Sequence, residues 1–212
     1  MALLLSFGAS ETEPTLRGQG FYLRPPLMAD FPQWSVLREE SRSFLTPWEP
    51  LWPVDDLTKP AFRRRLRRYA NDRKEGRSYP FFLFSQDGQL LGGATLSNIR
   101  RGVAQCCSLG YWMGARHAGK GYMSSAVALI APFCFDVLRL HRIEAACLPS
   151  NGPSIQLLRK NGFTREGYAR RYLNINGQWQ DHILFARLAD DPVPAVAATS
   201  PQWTSGASKE IL

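Results

Sequence analysis

The residues Leu109-Gly110-Tyr111-Trp112-Met113-Gly114-Ala115-Arg116-His117-Ala118-Gly119-Lys120-Gly121-Tyr122-Met123 form the stretch whose chemistry is easiest to read. An apolar strand pattern runs into a loop with Gly119 and Gly121, and a helix pattern starts at once. A helix start presents unpaired backbone N–H groups and the positive end of the helix dipole, which together cradle phosphate. Gly119 and Gly121 let the backbone approach an anion with no Cβ in the way. The spacing matches neither G-x-x-x-x-G-K-[ST] nor G-x-G-x-x-G, so nucleoside triphosphate and dinucleotide readings lose support. On spacing alone, a plain glycine turn between strand and helix is the competing reading.

Asn151 and Ser154 open another helix. By residue type they are an Asn cap and a first-turn Ser, a pair that needs no chemistry to explain it. Glu49, Glu144, Glu166 and Asp181 are the candidate general bases, each with a solvated or ion-paired carboxylate as its alternative. The three histidines lack metal-ligand spacing, and His182 beside Asp181 is a short pair rather than a triad. Cys106, Cys107, Cys134 and Cys147 have no C-x-x-C spacing, so they read as reduced core thiols and not as a zinc site or disulfide frame. No metal site is expected. The densest charge is Arg63–Arg68 with Arg73, Lys74 and Arg77. It reads as a solvated helix face, with a ribosome or RNA contact as the alternative.

These groups sit in a chain of 212 residues that is 44% hydrophobic and 12% aromatic, enough for one domain with a real core and too apolar for disorder. A formal charge of +8 points to anionic partners. No apolar run reaches the roughly 20 residues that span a bilayer. The opening Met1–Leu5 run lacks a basic flank and is too short for a signal peptide, so a cytoplasmic protein with no membrane contact is expected.

The elements that must position the site follow from period and punctuation. A flexible arm is expected over 1–19, one domain over 20–189, and a disordered tail rich in Pro, Ala and Ser over 190–212. Within the domain a strand is predicted at Gly20–Arg24. A helix capped by Asp30 is predicted to run to about Ser43, and an ordered loop over Phe44–Asp56 holds Pro47, Pro50 and Pro53. Thr58 caps a second helix with Phe62, Leu66 and Tyr69 on its apolar stripe. A hairpin turns at Asp87-Gly88 between Phe81–Ser85 and Leu90–Ser97. A strand at Gln105–Met113 and a helix from Gly121 to about Leu138, kinked at Pro132, come next. A strand at Ile143–Cys147 and a helix at Asn151–Lys160 ending on Asn161-Gly162 complete the pairing of elements. Strands near Phe163–Asn174 and Trp179–Leu188 join through Ile175-Asn176-Gly177.

Arg116-x-x-Gly119-x-Gly121 resembles the R/Q-x-x-G-x-G/A signature of the GNAT acetyltransferases, in its usual place between strand and helix. The segments His141–Ala145, Asn151-x-x-Ser154 leading to Lys160–Phe163, and Glu166–Arg170 with Asn176-Gly177-x-Trp179-x-Asp181-His182 are similar to the RimJ-type branch, the ribosomal-protein-alanine N-acetyltransferases. Trp48-Glu49-Pro50 resembles a loop of that branch, and the resemblance spans about residues 20–188. It implies an α/β GNAT fold, with a mixed, mostly antiparallel sheet of about six or seven strands and a splayed parallel pair at the cofactor gap.

The resemblance also implies roles. Acetyl-CoA is the cosubstrate; backbone groups of Tyr111, Trp112 and Met113 face its pantetheine arm. The amides of His117, Ala118, Gly119, Lys120, Gly121 and Tyr122 hold the pyrophosphate, with charge from Arg116 or Lys120. Asn151 bonds the cofactor arm, and Ser154 donates to the sulfur. Many relatives carry a Tyr seven residues after the Asn as the acid; here that position is Leu158, so Ser154 takes its place. Ser125 stands where many relatives carry Glu. Trp48, Glu49 and Tyr172 form the acceptor wall. The reaction implied is direct acetyl transfer to a primary amine, with the N-terminal Ala or Ser of a ribosomal protein such as S5 as acceptor. A small-molecule amine, a lysine, or a non-catalytic acetyl-CoA- or ribosome-binding role are the rivals.

Overall fold

The computed structural model describes residues 14–194 and the backbone of Gln202–Trp203. Two apolar clusters pack on opposite faces of a single sheet, and the alternation along β3 (Tyr79–Ser85) shows how. Phe81 and Leu83 join the larger cluster, while Phe82 and Phe84 join the smaller one. Successive side chains of a strand point to opposite faces, so β3 is buried on both sides.

The other strands are β1 (Leu16–Gly18), β2 (Phe21–Arg24), β4 (Leu90–Arg100), β5 (Cys106–Met113), β6 (Arg142–Cys147), β7 (Thr164–Ile175), β8 (Gln178–Leu188) and β9 (Gln202–Trp203). Their order is β7-β8-β6-β5-β4-β3-β2-β1-β9. Every neighbouring pair is antiparallel except β5 and β6, which run parallel. The expected mixed, mostly antiparallel GNAT sheet is thus present, with β1 and β9 added to the predicted set.

Both additions correct the expected ends. Leu16 is almost wholly buried, so the chain joins the sheet within the stretch assigned to the arm. Gln202–Trp203 pairs with β1 inside the stretch assigned to the disordered tail. The remainder of those two stretches, 1–13, 195–201 and 204–212, lies outside the described residues.

The helices are α1 (Phe31–Glu40), α2 (Arg42–Leu45), α3 (Lys59–Lys74), α4 (Tyr122–Pro132) and α5 (Gly152–Lys160). Trp34 and Leu37 of α1 and Phe62 of α3 fill the smaller cluster, and α4 with Leu158 of α5 fills the larger. Thr58 caps α3 as predicted, accepting from Ala61 N. Asp30 does not cap α1. Its carboxylate accepts from Leu27 N and both terminal nitrogens of Arg24, at 2.6–2.7 Å, so a charged partner outbids the helix amides. Part of the expected 44–56 loop is helical, with α2 and a 3-10 turn at Thr46–Trp48.

Pro132 ends the α-helical segment, and Phe133–Val137 continues as a π turn in which Leu138 N reaches Phe133 O at 3.0 Å. Proline cannot donate and crowds the preceding turn, and the helix widens after it.

Candidate active site

β5 and β6 pair only over Cys106–Ser108 and Arg142–Glu144. Beyond that point Leu109–Met113 pairs with β4 alone and Ala145–Cys147 with β8 alone. The two strands therefore splay, and their facing edges are left for a chain that can hydrogen-bond to backbone. Tyr111, Trp112 and Met113 line the β5 side of this gap.

At the mouth of the gap α4 begins. Gly119 and Gly121 have φ of +74° and +82°, the left-handed region that glycine adopts freely, and a Cβ at either would meet nothing within 4 Å. No side chain caps Gly121, so the first amides of α4 open outward. Ser41 Oγ accepts from Ala115 N at 2.9 Å and ties this loop to the end of α1. Arg116 pairs with Glu40 at 3.0 Å and donates from Nε to His117 Nε2 at 3.1 Å. Burial first, then the cations Arg116 and Lys120, push the His117 imidazole below its ordinary range. Lys120 is exposed beside the open amides. Open amides, two glycines and nearby cations could hold a phosphorylated ligand.

α5 starts opposite. Asn151 Oδ1 accepts from Ser154 N at 3.1 Å, so that oxygen serves as the helix cap. The reading of Asn151 as a ligand to the cofactor arm thus falls on its remaining groups. Ser154 Oγ lies 2.8 Å from the Tyr111 hydroxyl, across the gap from β5. Burial pushes the Tyr111 phenol far up, so it remains protonated. The Cys147 thiol also meets Ser154, and burial pushes it up too. Leu158 is packed in the larger core cluster. Asn161 Nδ2 donates to Ser124 Oγ at 3.0 Å and clamps α5 to α4.

The loop after α2 carries two of the expected acceptor residues, Trp48 and Glu49. Glu49 accepts from both terminal nitrogens of Arg38, at 2.7 and 2.6 Å, and from Trp52 Nε1 at 2.7 Å. The Glu49 carbonyl accepts from Asn176 N at 2.9 Å, which joins this loop to the β7–β8 turn. Trp48 is half-buried in the same loop. Tyr172 is on β7, half-exposed, and its ring meets His182 edge-on at 5.8 Å. His182 donates from Nδ1 to Gln180 O at 3.0 Å. Asp181 points elsewhere, accepting from Tyr168 Oη at 2.7 Å and Arg171 N at 2.8 Å, so Asp181 and His182 do not act as a pair. Glu144 and Glu166 both bind Arg142. All four candidate bases are engaged.

Sequence reasoning missed three groups. The Tyr111 side chain was read only for its backbone, and Arg38 and Trp52 were not singled out. Arg38 had a signal, since it lies four residues after Trp34, at the edge of the face α1 buries. In the basic run, Arg64 pairs with Asp55, Arg65 with Asp56 at 2.6 Å, and Arg77 with Asp72 at 2.8 Å. Those pairs favour the solvated-face reading for part of it.

A splayed parallel pair, an open helix start at its mouth and a Ser at the next helix are an arrangement with the shape and donors to accept an acyl-CoA. A family model described as "Acetyltransferase (GNAT) domain" matches residues 21–164. The chain belongs to the GNAT acetyltransferases and is an acetyl-CoA-dependent N-acetyltransferase. It is 36% identical to a probable N-acetyltransferase, YjcK, of Bacillus subtilis, over 83% of this chain and 98% of that one. It is 34% identical to the [ribosomal protein uS5]-alanine N-acetyltransferase of Escherichia coli, over 94% and 99%. The solved structure of Mycobacterium smegmatis RimJ in complex with CoA-disulfide superposes with a TM-score of 0.79. The sequences are 31% identical, and the match covers 84% of this chain and 91% of that one. Among the described residues no helix is long and apolar enough to cross a membrane.

Proposed function

We propose that this enzyme transfers the acetyl group of acetyl-CoA directly to the N-terminal α-amine of a ribosomal protein, with Ala or Ser as the acceptor residue. The observation that carries the reading is that Glu49, Glu144, Glu166 and Asp181 are each committed to a charged or hydrogen-bonding partner. An α-amine has a pKa of about 7.7–8.0 and is partly neutral at pH 7, whereas a lysine near 10.4 is almost wholly charged. An acceptor that needs little help from a base suits a site whose four candidate carboxylates are all engaged. The likeness to the Escherichia coli uS5-alanine enzyme points the same way.

In this reading the amides of His117–Tyr122 hold the pyrophosphate and the β5 edge at Tyr111–Met113 holds the pantetheine arm. Trp48, Glu49 and Tyr172 wall the acceptor. The amine nitrogen attacks the thioester carbon, the C–S bond breaks, and the sulfur leaves as thiolate toward the Ser154 hydroxyl. The amine loses one proton and the sulfur gains one, exchanged through solvent. No cysteine is placed as an activated nucleophile, since burial raises the Cys147 thiol rather than lowering it.

The test is acetyl-CoA turnover against a panel of ribosomal-protein N-terminal peptides. Turnover is expected on Ala- or Ser-starting peptides, including that of uS5. Turnover on small amines alone would overturn the acceptor.

A further inference from the structure

The position where many GNAT enzymes carry an acid on the α5 helix is Leu158, sealed in the core. A phenol is nevertheless present at the sulfur end of the gap, because Tyr111 reaches it from β5 and stops 2.8 Å from Ser154 Oγ. We propose that Tyr111 is a positioning residue, whose hydroxyl donates to Ser154 Oγ and so turns the Ser154 hydrogen toward the leaving sulfur. The inference rests on the acetyl-transfer reading of the gap and is independent of which amine is the acceptor.

The direction of the bond follows from what each group can do. A hydroxyl has one hydrogen and two acceptor sites. If Ser154 spent its hydrogen on Tyr111 or on the Cys147 sulfur, none would remain for the leaving sulfur; with Tyr111 and the protonated Cys147 thiol donating into its two acceptor sites, the hydrogen is left free. Tyr111 can donate at any physiological pH, because burial keeps its phenol protonated. Ser154 is fixed from the other side by the Asn151 cap on its backbone N–H, so its Cα cannot swing away. A donor that is itself receiving a hydrogen bond is also a stronger donor. Tyr111 thus acts on the thiolate through Ser154 and does not itself lose a proton.

The experiment is a double-mutant cycle with Tyr111→Phe, Ser154→Ala and the pair, with kcat and KM measured on an α-amine peptide and on a lysine peptide. Acetyl-CoA affinity is measured by calorimetry. Tyr111→Phe is expected to lower kcat by about tenfold to a hundredfold, less than the roughly 10²–10³ lost with a donor that itself touches the developing charge, because Tyr111 acts through Ser154. Its KM for the acceptor and its acetyl-CoA affinity are expected to hold. The double variant is expected to lose no more than Ser154→Ala alone, because Tyr111 has nothing left to orient. An unchanged kcat in Tyr111→Phe, or losses that multiply in the double variant, would overturn the proposal. A wrong acceptor assignment would move activity between the two peptides and leave the cycle intact. Should Tyr111→Phe fail to fold, 3-fluorotyrosine at position 111 keeps the shape and strengthens the donor. A rise in kcat is then expected, and no change would overturn the proposal.

Discussion

Arg38 binds both carboxylate oxygens of Glu49 and lies between two indoles, with its guanidinium 4.0 Å from the Trp52 ring and 5.0 Å from the Trp112 ring. Trp112 lies on β5 and Glu49 in the loop after α2, so one arginine joins the two elements that the proposed function assigns to the acetyl donor and to the acceptor. Arg38→Ala would strand the Glu49 charge in a mostly buried place. Breaking a buried pair costs about 3–5 kcal/mol, and the partial exposure of Glu49 places this case near the lower end. At about 2–4 °C per kcal/mol, a fall in Tm of roughly 6–12 °C is expected by calorimetry. Acceptor KM should rise more than acetyl-CoA KM. Equal rises would show that the cluster does not belong to the acceptor side.

Gly119→Asp tests the phosphate cradle. Aspartate tolerates a positive φ better than most residues, and its Cβ would meet open space, so the fold should survive. The added negative charge faces the pyrophosphate, and acetyl-CoA KM is expected to rise about tenfold or more, the scale of 1.4 kcal/mol. Calorimetry showing unaltered acetyl-CoA affinity would remove the cradle from this loop.

The sign of one pH effect follows from His117. Its folded-state pKa is depressed by burial and by Arg116 and Lys120, so the unfolded chain binds the proton more readily. The associated stability is present above the ordinary histidine range and is lost as pH falls through the depressed value. His117→Asn should therefore show a flatter Tm from pH 7 to pH 5 than the parent. Parallel curves would assign the acid sensitivity to other groups.

Much of this was legible because it is local. The Asn151 cap, the glycines at positive φ and the Asp87-Gly88 hairpin each depend on a few adjacent residues whose types dictate backbone shape. β1 was not legible, since a three-residue strand with Leu16 as its one large apolar side chain has no period to read. Asp30 was misread as a helix cap because Arg24, its actual partner, arrives by strand geometry. The Tyr111–Ser154 and Arg38–Glu49 contacts join separate elements, 43 and 11 residues apart, and only the folded sheet and loop bring them together.

The pH dependence of kcat/KM separates the acceptor classes kinetically. With an α-amine peptide the rate should climb and level near pH 8, as the substrate itself deprotonates. A rate that keeps climbing toward pH 10 would be the signature of a lysine.

The most direct measurement uses one peptide that begins with Ala and carries an internal Lys, incubated with labelled acetyl-CoA and mapped by fragmentation mass spectrometry. Label is expected on the N-terminal α-amine, with little on the lysine. Label chiefly on the lysine would contradict the account, because the committed carboxylates of this site would then have to support deprotonation of a strong base.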